Sequence, residues 1–203
     1  MASARTLVVW AALAAALAVP VAVAATSPLL AWREPIYILA GFAGVIALCG
    51  LLLQPLLAGG YLPDVSTRRG RRVHAWVGGG LVLAVVIHVG GLWITSPPDV
   101  VDALLFRSPT PFSVWGVIAM WAIFAIALLA AFRRRLRLRP LLWRALHLAM
   151  AVVIVLGTVA HALLIEGTMG LISKAVLCAL VVIAALKIVY DTRPSLAALR
   201  RKA

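Results

Sequence analysis

The chain has four histidines, His74, His88, His147 and His161, and the two separations His74 to His88 and His147 to His161 are both 14 residues. Fourteen residues of α-helix make close to four turns, so each pair stands on one helix face, with about 21 Å between its members along the axis. Two parallel helices would then set His74 against His147 near one end and His88 against His161 near the other. An imidazole in an apolar segment is costly unless it is paired, solvated or ligating. A single one reads as an interhelical hydrogen bond. Four at two identical spacings read as ligands. A zinc site wants three or four protein ligands, and no cysteine or third histidine falls at a matching depth. Two facing imidazoles suit haem iron, whose porphyrin supplies the other four positions. Such an iron has no vacancy for substrate, so the expected chemistry is electron transfer through two stacked centres.

The elements that must position these residues are transmembrane. The 203 residues are 65% hydrophobic and only 12% charged, against about 25% charged in a soluble domain. Mean hydropathy is +1.10. These values exclude a soluble globular chain and a disordered one. Six apolar runs reach the ~20 residues that cross a bilayer as helix: Leu7 to Ala25, Ile36 to Leu57, Val73 to Thr95, Phe112 to Phe132, Leu141 to Ile165 and Leu171 to Tyr190. They do not alternate as barrel strands would, and Pro and Gly punctuate the connections. The expected fold is an all-α, polytopic membrane bundle of six transmembrane helices, with the histidines on the third and fifth.

Charge sets the orientation. Arg68, Arg69, Arg71 and Arg72 follow the second span; Arg133, Arg134, Arg135, Arg137, Arg139 and Arg144 surround the start of the fifth; Arg193, Arg200, Arg201 and Lys202 occupy the tail. With Arg5 and Lys187, 16 of the 19 basic residues fall on one side, whereas Glu34, Asp99, Asp102 and Glu166 fall on the other. By the positive-inside rule both termini are cytoplasmic. The net charge of +13 is thereby absorbed by topology and implies no nucleic-acid partner.

Other features carry two readings each. Arg5, the first apolar run and Ala22 to Ala25 suit a retained helix, and also a signal-like segment with a small-residue cleavage site. Cys49 and Cys178 read as small buried hydrophobes rather than a disulfide or metal site. Gly78, Gly79, Gly80 and Gly157 leave room for a flat macrocycle or for helix packing. Arg71, Arg72 and Arg144 lie within three residues of the inner histidines and either pair with haem propionates or only signal topology. Lys174 has the choice of an outer propionate or Glu166. Lys187 and Asp191 are spaced as a surface i, i+4 pair, and Trp93 and Trp115 as parts of an interfacial aromatic belt.

Paired histidines on the third and fifth of six helices, following Arg71-Arg72, resemble the ferric reductase-like transmembrane domain over roughly residues 35–190. That family includes ferric reductases, NADPH oxidases and the haem-binding subunit of the bacterial periplasmic methionine sulfoxide reductase system. Trp143-Arg144-Ala145-Leu146-His147 is similar to the Trp-x-x-Leu-His of that subunit, which however lacks a histidine at the place of His74. The resemblance implies two b haems, an inner one on His74 and His147 and an outer one on His88 and His161, with Arg72 and Arg144 beside the inner one. It divides the chain into a first helix and outer loop (1–34), the haem-binding domain (35–190) and a basic cytoplasmic tail (191–203). The sequence ends thirteen residues after Tyr190 without a Gly-rich nucleotide fingerprint. The implied donor is then a flavoprotein, a bound FMN or FAD, or membrane quinol or quinone on the cytoplasmic side. The implied acceptor is a ferric chelate or a periplasmic reductase, and the implied location a bacterial-type inner membrane. On this reading the chain is the electron-transfer component of an oxidoreductase. Two rivals from other classes are a metal-ion transporter using the histidines as way stations, which the lack of intramembrane carboxylates disfavours, and an assembly scaffold.

Overall fold

The computed structural model describes residues 3–200, with side chains through Thr192. Arg193, Arg200, Arg201 and Lys202 of the expected basic tail lie outside the side chains described. Seven α-helices follow one another among the described residues: α1 Ala4–Ala25, α2 Pro35–Gly59, α3 Thr67–Thr95, α4 Pro97–Leu104, α5 Ser113–Phe132, α6 Pro140–Leu164 and α7 Leu171–Arg200. Among the described residues there is no strand. Six helices among the described residues are long and apolar enough to cross a membrane: α1, α2, α3, α5, α6 and Leu171–Thr192 of α7.

Pro20 and Pro55 lie inside α1 and α2, whereas other breakers of the sequence act at helix ends. Pro35 and Pro140 stand in the first turns of α2 and α6, where a missing N–H costs nothing. Gly60 closes α2 with φ 68°, a left-handed cap that glycine adopts without strain. Ser66 caps α3 by accepting from the Arg69 N–H at 3.4 Å. Several boundaries differ from the hydropathy reading, among them the end of α7, which runs to Arg200 rather than Tyr190. α3 starts at Thr67, not Val73, because the apolar run marks the hydrocarbon depth while the helix itself continues through Arg68–Arg72. Pro97-Pro98, read as a break, begins the short α4. There Ser96 Oγ–H donates to Asp99 at 2.5 Å, and proline only breaks a helix from its interior.

The closest helix pairings are α2 with α3 and α5 with α6; α7 touches both α2 and α6, and α1 touches α2 and α7. α3 and α6, which carry the histidines, make at most marginal backbone contact, so a gap separates them. In lipid, helices associate through close packing rather than through the hydrophobic effect. Accordingly Gly91 of α3 lies so near α2 that a Cβ there would stand 2.8 Å from Ala40 Cβ. Gly157 of α6 serves the α5 contact, 3.0 Å from the Trp115 carbonyl oxygen by the same measure. Leu177, Cys178 and Val181 of α7 are fully buried, and Cys49 is buried with its Sγ 3.7 Å from the Leu17 carbonyl oxygen. Both cysteines are free. Trp93 and Trp115 are exposed at the ends of α3 and α5.

A polar clasp joins the α2–α3 loop to α7. Asp191 accepts from Lys187 Nζ and from Tyr61 Oη, each at 2.5 Å, and the ammonium lies 4.9 Å from the Tyr61 ring centre. Desolvation, reinforced by the hydrogen bond to Asp191, pushes the Tyr61 phenol up to about 12.

Candidate functional site

The four histidines meet in the predicted pairs. Ring centroids of His74 and His147 are 6.0 Å apart, and those of His88 and His161 are 6.3 Å apart. The planes are inclined at 53° and 81° respectively. Each pair takes one ring from α3 and one from α6, across the gap those helices leave.

The His88–His161 pair is fixed from behind by backbone. His88 Nδ1–H donates to the Ala40 carbonyl of α2 at 2.7 Å, and His161 Nδ1–H donates to the Phe112 carbonyl before α5 at 2.9 Å. A carbonyl only accepts, so the proton sits on Nδ1 and Nε2 keeps a bare lone pair. This is the outer-shell arrangement that orients ligating histidines. The approach needs glycine one turn along from each acceptor. A Cβ on Gly44, four residues after Ala40, would stand 3.1 Å from His88 Nδ1. On Gly116, four residues after Phe112, it would stand 2.7 Å from His161 Nδ1. The same device thus serves both rings.

The His74–His147 pair is held differently. His74 Nδ1–H donates to the Gln54 carbonyl at 3.2 Å, and the Gln54 side-chain Nε2 returns a bond to the His74 carbonyl at 3.3 Å. His147 Nδ1 and Gln54 Oε1 are buried without a hydrogen-bond partner among the described residues. His147 is instead packed against Trp143, ring centroids 5.0 Å apart, and the Arg133 guanidinium lies 4.9 Å from the Trp143 ring centre.

A cavity of about 520 Å³ opens beside His88 and His161, with Arg33, Tyr37, Glu166 and Lys174 also on its walls. That volume lies within the ~300–1,000 Å³ of small-molecule and cofactor pockets. Lys174 is buried, and its Nζ donates to the Ile165 carbonyl at 2.7 Å. It does not pair with Glu166, which is exposed.

The flanking residues fall out unevenly. Arg71, Arg72 and Arg144 are exposed, and Arg72 and Arg144 make no hydrogen bond or ion pair with a described residue. Gly78 would bring a Cβ 3.4 Å from Gln54 Nε2, while Gly79 and Gly80 face open space. Sequence reasoning missed Gly44, Gly116, Gln54 and the carbonyls of Ala40 and Phe112. Gln54, a lone amide inside an apolar run, carried the one usable signal.

The residues present fit a haem on geometric grounds. An iron between two imidazole nitrogens at about 2 Å each, with about 1 Å more to each ring centre, spaces the centroids about 6 Å apart, as both pairs are spaced. Among the described residues no three His, Cys, Asp or Glu side chains gather as a metal site of their own. In comparisons with known families, residues 40–158 match the family described as "Ferric reductase like transmembrane component". No curated protein and no solved structure matches the chain.

Proposed function

Since the chain is a multi-pass membrane protein that belongs to the ferric reductase-like transmembrane component family, we propose that it carries electrons across a membrane between two bis-histidine b haems. His74 and His147 hold the inner haem, and His88 and His161 the outer one. The observation that carries this reading is the pair of facing imidazole sets at 6.0 and 6.3 Å. The outer set has both Nδ1 protons committed to carbonyls.

When bound, each haem supplies a one-electron couple with no open coordination position. The protein's own residues do the rest. The carbonyls of Ala40, Phe112 and Gln54 hold three of the rings in one tautomer. α3 and α6 keep the two sites about 21 Å apart along the helix axis, by the rise of 14 residues. The apolar side chains between exclude water.

With both termini on the cytoplasmic side of a bacterial-type inner membrane, electrons enter at His74 and His147 from a flavin, a flavoprotein or a quinol. They leave at His88 and His161 to a periplasmic acceptor such as ferric chelate. Arg72 and Arg144 stand at the inner mouth to meet propionates or an anionic donor. The proposed units are residues 1–34, 35–190 and 191–203. A second reading, a membrane subunit that delivers electrons to a separate periplasmic reductase, draws support from Trp143 packed on His147 in the Trp-x-x-Leu-His pattern.

The test is a pyridine haemochrome assay on chain purified from haem-replete cells. Two haem b per chain are expected, and a colourless, haem-free preparation would sink the proposal.

A further inference from the structure

Lys174 is the sole charged residue buried among the described residues, 6% exposed, on α7, one turn from its start. Its Nζ donates to the Ile165 carbonyl at 2.7 Å. Ile165 in turn donates its N–H to the His161 carbonyl at 3.1 Å. The ion pair among the described residues joins Lys187 to Asp191, so Lys174 has no carboxylate partner there. A carbonyl caps one of the three ammonium protons and leaves the charge uncompensated. A buried cation at membrane depth is costly without a counter-ion. The residue lines the same cavity as His88 and His161, and the exposed Arg33 and Glu166 share that wall.

We propose that Lys174 binds a carboxylate in the outer cavity, beside His161. The inference rests on the two-haem reading above. Two sources share this chemistry: the propionates of the outer haem and a carboxylate-bearing acceptor such as a ferric chelate. Charge-assisted bonding supplies the compensation that the protein itself withholds.

The test uses purified, haem-loaded protein. Lys174→Gln keeps a donor for the Ile165 carbonyl and removes the charge. Lys174→Met, a neutral chain of similar length, serves the same end where the first variant does not accumulate, and Lys174→Arg keeps the charge. With haem labelled by carbon-13 in its propionates, infrared difference spectra should show only ionised labelled carboxylates in the wild type. The neutral variants should show one protonated labelled carboxyl per chain, because a buried carboxylate that loses its cation takes up a proton. Lys174→Arg should restore the ionised form. That result places the carboxylate on the cofactor. Where the labelled bands do not change but the neutral variants raise KM about tenfold for a carboxylate-bearing ferric chelate and not for a neutral ferric complex, the carboxylate belongs to the acceptor and the site stands. Unchanged bands together with unchanged KM values leave Lys174 as a cap of α6 and overturn the proposal. In that case a normal haem content leaves the two-haem reading intact. A wild-type chain without haem overturns both.

Discussion

His161 donates its Nδ1–H to the carbonyl oxygen of Phe112 at 2.9 Å, and that same oxygen accepts the N–H of Gly116 at 3.2 Å. The carbonyl therefore serves the first turn of α5 and the imidazole of α6 together. Ala40 of α2 does the same for His88, with Gly44 one turn on. Absence of a side chain at the residue one turn on is what admits the ring.

Gly116→Ala should therefore disturb the outer site more than Gly44→Ala. The added Cβ would stand 2.7 Å from the His161 ring nitrogen in the first case and 3.1 Å from that of His88 in the second. Alanine in an unstrained helix interior gains about 1 kcal/mol over glycine, so crowding alone predicts a loss. Haem content should fall from two toward one per chain in Gly116→Ala, with a smaller loss in Gly44→Ala. Equal haem content in both variants and the wild type would contradict the arrangement.

The two histidine pairs should fail independently. His88→Ala or His161→Ala should remove one haem per chain, leave the inner one and abolish transfer across the membrane. His74→Ala or His147→Ala should spare the outer haem. Spectra of the four variants in haem-loaded membranes, read beside transfer assays in sealed vesicles, check this. Retention of function by Gln at each position would favour a scaffold instead.

Gln54→Leu should leave stability within about 1 kcal/mol of the wild type. It removes the 3.3 Å bond to the His74 carbonyl, but it also removes the buried, unpartnered Oε1, and the two terms oppose each other. The backbone carbonyl that accepts from His74 is unaffected. Thermal melting in detergent measures the difference, and a loss of several kcal/mol would mean that the amide oxygen has a partner.

The Tyr61 clasp makes alkaline pH the sensitive direction. The phenol is raised from its ordinary value of 10.0 to about 12 by desolvation and by Asp191. The folded state thus favours the neutral form. The contribution is fully present below pH 10 and is lost as pH rises through about 12. Tyr61→Phe should remove the phenolate absorbance step near pH 12 and flatten the alkaline limb of stability. A step that survives in the variant belongs to another tyrosine.

Orientation has a direct check. Reporter fusions after Arg72, after Arg139 and at the C-terminus should report the cytoplasm, and fusions after Glu34, Asp102 and Glu166 the opposite face. A reversed pattern would invert the direction proposed for electron flow.

The sequence by itself determined the number of spans, the helical class and the pairing of the histidines. Each depends on a one-dimensional quantity. The length of an apolar run is fixed by bilayer thickness, and a separation of 14 residues on a rod of 3.6 residues per turn returns to one face. The tertiary structure alone decided what stands behind each ring. Ala40, Gly44, Phe112 and Gly116 are ordinary residues of apolar segments, and the two acceptors, Ala40 and Phe112, lie 48 and 49 positions from the histidines they serve. No periodicity links positions on different helices, because only interhelical packing brings a carbonyl of one to an imidazole of another. Lys174 shows the same division. Its charge was legible in the chain, but its burial against the Ile165 carbonyl, rather than a pairing with Glu166, follows from how α7 docks against α6.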